Sequence, residues 1–409
     1  MRAFFAVLLP LFLLQPLAVS QTSNANLKTL YEGHHWFALR DAIVQGDAPT
    51  FYRAAVEAAF DQLRPAEQAL KQIIVQQPHS ADAYEARQLL ATMYFRHGLY
   101  REALVQLRAM LKEKPDAKDV QNELPFFTAL GKADQSTIHI SPSSLQMRNE
   151  DGNLYLPITI NGKKASYAFD TGANFSVISQ AEAKRLGLHV VSVATSIADS
   201  SGNHTSIQVA VAKSLTVGSL RLRDVAFGVL PDTQPPFNEL AEQKRGLLGI
   251  PILLAMRTVS WSKDGTFTLG HSSRSFDLQA ANLVFEQSFP VTQAYFHGTG
   301  IEMTVDSGAQ RTVLSPPFAD AFPDLLKSVG KPEVHKLTGV GGSASYESFL
   351  LPSLDLQIGG HTVTFKNAHV LTQESSDTSK WAAGNLGIDL LNEADLVTFD
   401  FGAMTLNLR

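Results

Sequence analysis

The spacing of apolar residues changes once along the chain, between residues 131 and 144. From about residue 24 to residue 132, an alanine-rich segment places its apolar side chains at helical intervals. Beyond the change, short runs of alternating apolar and polar residues are separated by glycine-containing turns, which is typical of β-strands. The pattern therefore predicts a helical part followed by a mainly β part.

The clearest helical unit spans residues 81–115. Its small and apolar residues fall at the spacing of a helix pair, and Pro115 closes it; Pro78 closes a weaker unit 115 − 78 = 37 residues earlier. This pattern resembles a tetratricopeptide repeat. Because such arrays usually need about three units to bury a continuous core, residues 28–60 are predicted to supply another helix pair. The resemblance implies either binding of peptides or partner proteins, or stabilisation of a neighbouring domain.

In the β part, two strand-like segments lead into the same short motif. The first follows Asn161 and Gly162, a strong hairpin signal, and ends in residues 170–173, Asp-Thr-Gly-Ala. The second ends in residues 306–309, Asp-Ser-Gly-Ala, which lie 306 − 170 = 136 residues further on. One such motif is a turn as readily as a catalytic loop. Two copies in similar surroundings indicate two carboxylates brought face to face.

Further features recur in the same order after both motifs. A polar or glycine-rich hairpin tip comes first, at residues 199–204 and again at 338–346. An apolar run broken by glycine follows, at residues 246–253 and 384–391. The separation between the aspartate and the glycine of that run is 249 − 170 = 79 residues in one copy and 387 − 306 = 81 in the other. This matched order predicts an internal duplication.

The motifs resemble those of aspartic peptidases, and within them the retropepsin-like group. In that family each of two lobes contributes an Asp-Thr/Ser-Gly loop, beneath which an apolar pair plus glycine packs. The residues after the two glycines, Ala173 and Ala309, are similar to those of retropepsin-like rather than pepsin-like members. Asn385 departs from the family pattern, which has an apolar residue there, and is expected to weaken packing under Asp306. The resemblance covers about residues 145–409 and implies a mainly-β bilobal acid-protease fold.

The resemblance also implies roles for individual residues. Asp170 and Asp306 would be the catalytic pair and would share one proton, because adjacent carboxylates do not both ionise readily; aspartic proteases are the standard example. They would activate a water without a metal, a cofactor or a covalent intermediate. The residues implied to support the catalytic loops are Thr171, Gly172, Ser307 and Gly308. The residues implied to contact substrate at two flap tips are Ser201, Gly202, Gly341 and Gly342.

The two alanines also bear on the pH at which such an enzyme would work. Family members with a hydroxyl at these positions can hydrogen-bond the carboxylates and lower their pKa values. Since Ala173 and Ala309 lack it, the resemblance implies a less acidic optimum than that of pepsin-like enzymes.

The amino-acid composition excludes several other classes of protein and of site. The 409 residues are 44% hydrophobic and 18% charged, as in ordinary globular proteins, and a formal net charge of −5 offers no basic footprint for nucleic acid. The absence of cysteine excludes disulfides, thiolate metal sites and cysteine nucleophiles. Adjacent His34 and His35 would point to different sides of a helix with no further ligand at suitable spacing, so we expect no metal there.

Residues 1–20 have the pattern of a secretory signal peptide. Arg2 precedes an apolar run, and small residues stand at positions 18–20 before the expected cleavage point. The run is too short for a comfortable membrane span, and an uncleaved anchor is the alternative. The chain is therefore predicted to be periplasmic or secreted by a bacterium, where a large core needs no disulfides.

The sequence thus predicts a multidomain protein. A signal peptide (1–20) is followed by an all-α, tetratricopeptide-like helical-hairpin domain (21–132) and by aspartic protease lobes at 133–275 and 276–409. The favoured hypothesis is an exported aspartic endopeptidase acting on peptides or proteins, with a protein partner possible at the helical repeats. The alternative is a non-catalytic peptide-binding or scaffold protein of the same fold. Intact Asp-hydroxyl-Gly motifs in both lobes favour the enzyme.

Overall fold

A computed structural model of the chain describes residues 24–131, 134–150, 152–198, 204–235, 237–339, 342–390 and 394–409. The predicted signal peptide and three predicted flap-tip residues, Ser201, Gly202 and Gly341, lie outside the described residues. Within the part described, no helix is both long enough and apolar enough to cross a membrane.

Residues 24–131 are helical. The helices are α1 (Asn24–Glu32), α2 (Trp36–Gln45), α3 (Thr50–Ala59), α4 (Leu63–Gln76), α5 (Ala81–Arg96), α6 (Tyr100–Glu113) and α7 (Lys118–Leu130). The hydroxyl of Ser80 caps α5 by accepting from the Ala83 amide at 3.0 Å. Helices α4 and α6 end two residues before Pro78 and Pro115. The predicted helical part is confirmed, while its assignment to tetratricopeptide repeats stays a prediction.

The chain continues into a first half of the β part. Its strands are β1 (Ser136–His139), β2 (Ser143–Gln146), β3 (Arg148–Glu150), β4 (Asn153–Ile160), β5 (Lys163–Phe169), β6 (Val177–Ser179), β7 (Val190–Ala198), β8 (His204–Val217), β9 (Leu220–Leu230), β10 (Gly246–Leu248), β11 (Thr258–Ser262) and β12 (Thr266–His271). Its helices are α8 (Gln180–Leu186) and α9 (Ile250–Ala255), with short 3₁₀ turns at Phe237–Glu239 and Glu242–Lys244. The predicted hairpin turn is confirmed, because Asn161 and Gly162 have φ of 48° and 79° between the paired strands β4 and β5.

A second half follows. Its strands are β13 (Leu283–Glu286), β14 (Phe289–Phe296), β15 (Thr299–Val305), β16 (Val313–Leu314), β17 (Lys331–Gly339), β18 (Gly342–Ile358), β19 (His361–Leu371), β20 (Gly384–Leu386), β21 (Leu396–Asp400) and β22 (Thr405–Leu408). Its helices are α10 (Pro316–Ala321) and α11 (Pro323–Val329), with a 3₁₀ turn at Thr378–Lys380. A helical region followed by a mainly β region is thus the observed architecture.

Two large sheets share one central pairing order, which is β9-β6-β10-β5-β4 in the first half and β19-β16-β20-β15-β14 in the second. The first-half sheet runs β1-β9-β6-β10-β5-β4-β8-β7, and the second-half sheet runs β13-β14-β15-β20-β16-β19-β18-β17. In the first, β10 is parallel to β5 and antiparallel to β6, while β6 is parallel to β9. In the second, β20 is parallel to β15 and antiparallel to β16, while β16 is parallel to β19. The strands β5 and β15, which lead into the two Asp motifs, therefore occupy equivalent places.

A third sheet joins the two halves. Its order is β2-β12-β11-β21-β22, so strands of the first half pair directly with strands of the second. Phe399 on β21 stacks on Trp261 of β11, with ring centroids 5.5 Å apart. Phe169, immediately before Asp170, packs edge-on against the same indole at 5.3 Å. The shared sheet thus supports the strand that carries the first Asp motif.

The helical region contacts both halves. The indole nitrogen of Trp36 at the start of α2 donates to the Glu286 carboxylate on β13 at 2.6 Å, and the Trp36 side chain is buried. On the other side, the hydroxyl of Thr195 on β7 donates to the carbonyl of Asn122 on α7 at 2.9 Å. The region is therefore packed onto the β part at two separate places.

The adjacent histidines contribute to the contact with the second half. Nδ1 of His34 lies 3.1 Å from the Glu286 carboxylate, and Nδ1 of His35 lies 3.7 Å from that of Glu302 on β15. The hydrogen bond and charge of Glu286 raise the pKa of His34 above its ordinary value despite partial burial, and Glu302 does the same for His35. Each histidine is therefore biased toward the charged form that its glutamate attracts.

Candidate active site

Each Asp motif begins where a strand ends beside a parallel neighbour. The first Asp loop, residues 170–173, follows β5, and the second Asp loop, residues 306–309, follows β15. The Asp170 amide donates to the Leu248 carbonyl of β10 at 3.1 Å. The Asp306 amide donates to the Leu386 carbonyl of β20 at 2.8 Å. The same backbone bond therefore sets the direction in which both loops leave their sheets.

The glycines of the two apolar runs pack closely under the loops. The Gly249 amide donates to the hydroxyl of Ser176 at 2.9 Å, and the Gly387 amide donates to that of Thr312 at 3.1 Å. A Cβ at either glycine would lie under 3 Å from backbone atoms of the segment that follows the Asp loop, so a larger residue would displace it. Asp389 accepts from the amide and the hydroxyl of Thr312 at 2.9 and 2.7 Å, which is a structural role.

The hydroxyl residues of the two loops bind each other's backbone. The Ser307 amide donates to the Thr171 hydroxyl at 2.9 Å, and the Thr171 amide donates to the Ser307 hydroxyl at 3.0 Å. The Thr171 hydroxyl in turn donates to the Val305 carbonyl at 2.8 Å, and the Ser307 hydroxyl donates to the Phe169 carbonyl at 2.8 Å. Both side chains are buried. These four bonds join the loops across the interface between the two halves.

This joining brings each carboxyl group against the opposite loop. A Cβ built at Gly308 would lie 2.7 Å from the carboxyl carbon of Asp170, and one built at Gly172 would lie closer still to that of Asp306. Real Cβ atoms do not approach other atoms this closely, so only glycine fits at both positions. The charge of Asp306 acts on the Asp170 carboxyl across this contact and raises its pKa. The sequence-predicted pair is therefore adjacent in the structure.

Backbone amides bind both carboxylates in the same manner. Oδ1 of Asp170 accepts from the Gly172 amide at 2.9 Å, and the Ala173 amide lowers the pKa of this carboxyl group. Oδ1 of Asp306 accepts from the amides of Gly308 and Ala309 at 2.9 and 3.1 Å. Amide donors stabilise the charged form of a carboxyl group. These amides therefore stabilise negative charge on the two carboxyl groups.

Burial raises the pKa of Asp170 well above its ordinary value. The charge of Asp306 is the next cause and acts in the same direction, whereas the amides of its own loop oppose the shift. Both aspartates are half-buried in the folded chain. Two carboxyl groups in such contact hold one proton between them over a wide pH range.

One side chain outside the loops reaches the pair. The Nδ2 atom of Asn385 on β20 donates to Oδ2 of Asp306 at 3.2 Å. The Oδ1 atom of the same amide accepts from the hydroxyl of Thr304 on β15 at 2.7 Å. The neighbouring Leu386 is fully buried. The expectation that Asn385 weakens packing under Asp306 is therefore replaced by a polar contact, because the amide finds partners on both of its ends.

Helix α7 adds an aromatic residue to the surface beside the first Asp loop. The ring of Phe126 lies 5.1 Å from that of Phe175, five residues after Asp170. Phe126 also packs against the apolar cluster that Leu247 of β10 joins. Leu247 pairs with Ala168, two residues before Asp170. The helical region therefore contributes to the apolar surroundings of the first carboxyl group.

The structure brings most of the predicted site residues together. Both aspartates and all four predicted support residues lie at one junction; the support residues are Thr171, Gly172, Ser307 and Gly308. Of the predicted flap tips, Gly342 begins β18 opposite Gly339 of β17, and the other three lie outside the described residues. Sequence reasoning did not assign Thr304, Asn385 or Phe126 to the site. The only signal available for them was the departure of Asn385 from the family pattern.

One family model matches part of the chain. Residues 156–252 match the family described as Aspartyl protease, a segment that contains the first Asp loop and ends before the second. A structural match is a retropepsin-like aspartic protease from Rickettsia conorii, 19% identical, covering 33% of this chain and 93% of that one, with a TM-score of 0.23. No curated protein matches the chain. The family match supports a peptidase hydrolase.

Proposed function

We propose that this protein is an exported aspartic endopeptidase that hydrolyses peptide bonds with a water activated between Asp170 and Asp306. The observation that carries the proposal is the reciprocal bonding of Thr171 and Ser307, which holds the two carboxyl groups side by side. A lone Asp-Thr-Gly turn would need no such partner. The aspartyl protease match of residues 156–252 supports the same class.

The proposed reaction requires one proton on the pair. The ionised carboxylate takes a proton from the water, and the water oxygen adds to the carbonyl carbon of the substrate. The protonated carboxyl gives its proton to the carbonyl oxygen, so a neutral diol forms. When the C–N bond breaks, the nitrogen takes a proton from the pair and the diol yields one to it. The products are a carboxylic acid and an amine, and the pair is again singly protonated.

The proposal extends to the architecture. The two halves of the β part would be the lobes of a bilobal fold, with the hairpins β7–β8 and β17–β18 as flaps over an extended peptide. The helical region, as a tetratricopeptide-like array, would chiefly stabilise the enzyme, because Trp36 and Phe126 pack it onto different halves. Export rests on the signal-peptide pattern of residues 1–20.

The test is cleavage of an unfolded protein or a peptide mixture between about pH 3 and about pH 8. We expect Asp170→Asn and Asp306→Asn each to lower the rate by about 10²–10⁴-fold or more, which is the usual contribution of a general acid or base. Asp324→Asn changes an exposed aspartate of α11 and should cleave like wild type. Wild-type protein that cuts nothing, or asparagine variants that cut normally, would contradict the proposal.

The same samples distinguish the alternative of a non-catalytic peptide-binding protein. Such a protein would bind peptides without cutting them, and Asp170→Asn would leave that binding largely intact. An inhibitor that mimics the tetrahedral intermediate should block cleavage by the enzyme at concentrations that saturate the pair.

A further inference from the structure

The two Asp loops match in backbone and differ in the side chains beside them. Leu247 and Asn385 occupy equivalent positions, the middle residues of β10 and β20. In register, Leu247 lies opposite Ala168 and Asn385 lies opposite Thr304, each partner standing two residues before an aspartate. The first half thus has an apolar pair of residues where the second half has a polar pair.

The polar pair forms a relay that ends on one carboxyl group. The Thr304 hydroxyl donates to Oδ1 of Asn385 at 2.7 Å, and Nδ2 of Asn385 donates to Oδ2 of Asp306 at 3.2 Å. The hydroxyl also lies 3.3 Å from the Gly384 carbonyl, and its shorter bond to the amide oxygen leaves the NH₂ end of the amide directed at the carboxylate. Thr304 is buried, which holds this orientation against exchange with water.

The relay gives the two carboxyl groups unequal support. Asp306 accepts three N–H donors, two from the backbone and one from Asn385. Asp170 has its two backbone amides, while the side chain at the position equivalent to Asn385 is that of Leu247, which has no donor. A hydrogen bond to a charged acceptor is stronger than one to a neutral acceptor, so the extra donor favours charge on Asp306.

We propose, on the basis of the proposed function, that Asn385 is a positioning residue that places the negative charge of the pair on Asp306 and the shared proton on Asp170. Asp306 would then take the proton from water, and Asp170 would donate to the substrate carbonyl.

Other charged groups nearby are engaged elsewhere. Glu302, on the same strand as Thr304, accepts from the Phe37 amide at 3.2 Å. Asp389, after β20, accepts from Thr312, and the charge of Arg311 acts on it. From the first half, the charged group in contact with the second Asp loop is Asp170 itself, whose carboxyl group lies against Gly308. The difference between the carboxyl groups is therefore assigned to the amide of Asn385.

The first test compares pH–rate profiles of wild type and Asn385→Leu, which installs the residue of the first half. Losing the donor makes the first ionisation of the pair harder, so the acidic limb of kcat/KM should move to higher pH by about one unit, a tenfold change in that equilibrium. The alkaline limb should stay in place, because the second proton leaves Asp170. A purely structural role for Asn385 would lower the rate equally at every pH and would overturn the proposal.

A matched exchange sharpens this test. The variant that combines Ala168→Thr, Leu247→Asn and Asn385→Leu moves the donor and its orienting hydroxyl to the first half, and the acidic limb should return toward its wild-type position. If the limb stays shifted by the full amount, the amide does not act through the carboxyl beside it, and the proposal fails.

A second measurement does not need activity. In protein labelled with ¹³C at the aspartate carboxyl, with signals assigned from Asp170→Asn and Asp306→Asn, Asp306 should ionise at the lower pH and Asp170 at the higher. Asn385→Leu should raise the lower titration. The opposite order in wild type, or no change in the variant, overturns the assignment. Inactive wild-type protein with the expected titrations would contradict the proposed function and leave the assignment supported.

Discussion

In the first half of the β part, Asp170 stands beside Ala168 and Leu247, whereas in the second half Asp306 stands beside Thr304 and Asn385. In both halves the carboxylate accepts a hydrogen bond from a backbone amide of its own loop, and the amide of the aspartate donates to the adjacent parallel strand. The backbone conformation of the two Asp loops is therefore the same in both halves. The halves differ in the side chains beside the loops, which are apolar in the first half and polar in the second.

The helical region makes different kinds of contact with the two halves. Its contacts with the first half include the packing of Phe126 on Phe175 and the hydrogen bond from Thr195 to the Asn122 carbonyl, neither of which involves a titrating side chain. It meets the second half through polar contacts that include His34 with Glu286. The attachment to the second half should therefore be sensitive to pH through His34 and His35.

The largest effect should come from adding a methyl group at the junction. We expect Gly172→Ala and Gly308→Ala to lower cleavage by about 100-fold or more, because each Cβ would collide with the opposite carboxyl and displacements near 1 Å cost that much. Gly300→Ala on β15 is the control, since its Cβ meets only ordinary contacts. Rates measured on folded variants check this, and a strong effect at one glycine alone would break the equivalence of the loops.

A smaller effect is expected for the hydroxyl residues. Thr171→Val and Ser307→Ala each leave buried backbone groups unpaired and should lower the free energy of unfolding by about 1–3 kcal/mol. The double variant should lose less than the sum, because the residues bond each other's loops. Urea unfolding measures this, with exposed Thr362→Val as control. Additive losses would show that the two loops are stabilised independently.

The smallest effect concerns the two attachments of the helical region. The pKa values of His34 and His35 are raised in the folded state, so their stabilisation is complete below the unfolded-state pKa of 6.5 and is lost as pH rises through the folded-state value. The side chains of His34 and His35 are 37% and 52% exposed, so solvent screening limits this pH-dependent change in the free energy of unfolding to about 1 kcal/mol or less.

Free energies of unfolding measured between about pH 5.5 and about pH 8.5 test the predicted contribution of the two histidines. Replacing His34 and His35 by alanine should remove this part of the pH dependence. Phe126→Ala should lower stability across the whole range while leaving the histidine-dependent part in place, because its ring packs on Phe95 and Phe175 and not on His34 or His35. If Phe126→Ala removes the pH dependence instead, the two attachments have been assigned the wrong way round.

Local sequence signals were sufficient for the elements and for the loop residues. Helical spacing located α5 and α6, the Asn161-Gly162 turn located one hairpin, and the repeated motif located both aspartates. These features depend on residues that are near neighbours in the chain. The prediction of a less acidic optimum considered only hydroxyls within the loops, and it stays a prediction.

Other features depend on contacts between distant segments and had no local signal. Phe126 reaches the first Asp loop only because α7 packs on β7. Asn385 was visible as a departure from the apolar pattern, but its role depends on Thr304, 81 residues earlier, supplying the hydroxyl that orients it. A single sequence contains both residues without showing that they pair.

The sheet shared between the halves has a consequence for the order of events in folding. Thr258 on β11 pairs with Asp400 on β21, across 400 − 258 = 142 residues. Pairings this remote form slowly, because bringing the two segments together costs loop-closure entropy before their contacts can form. A nascent chain that has not yet produced β21 cannot complete this sheet. The proposed activity would therefore begin only after nearly all of the described chain has been synthesised, which would protect the growing polypeptide and its neighbours from premature cleavage.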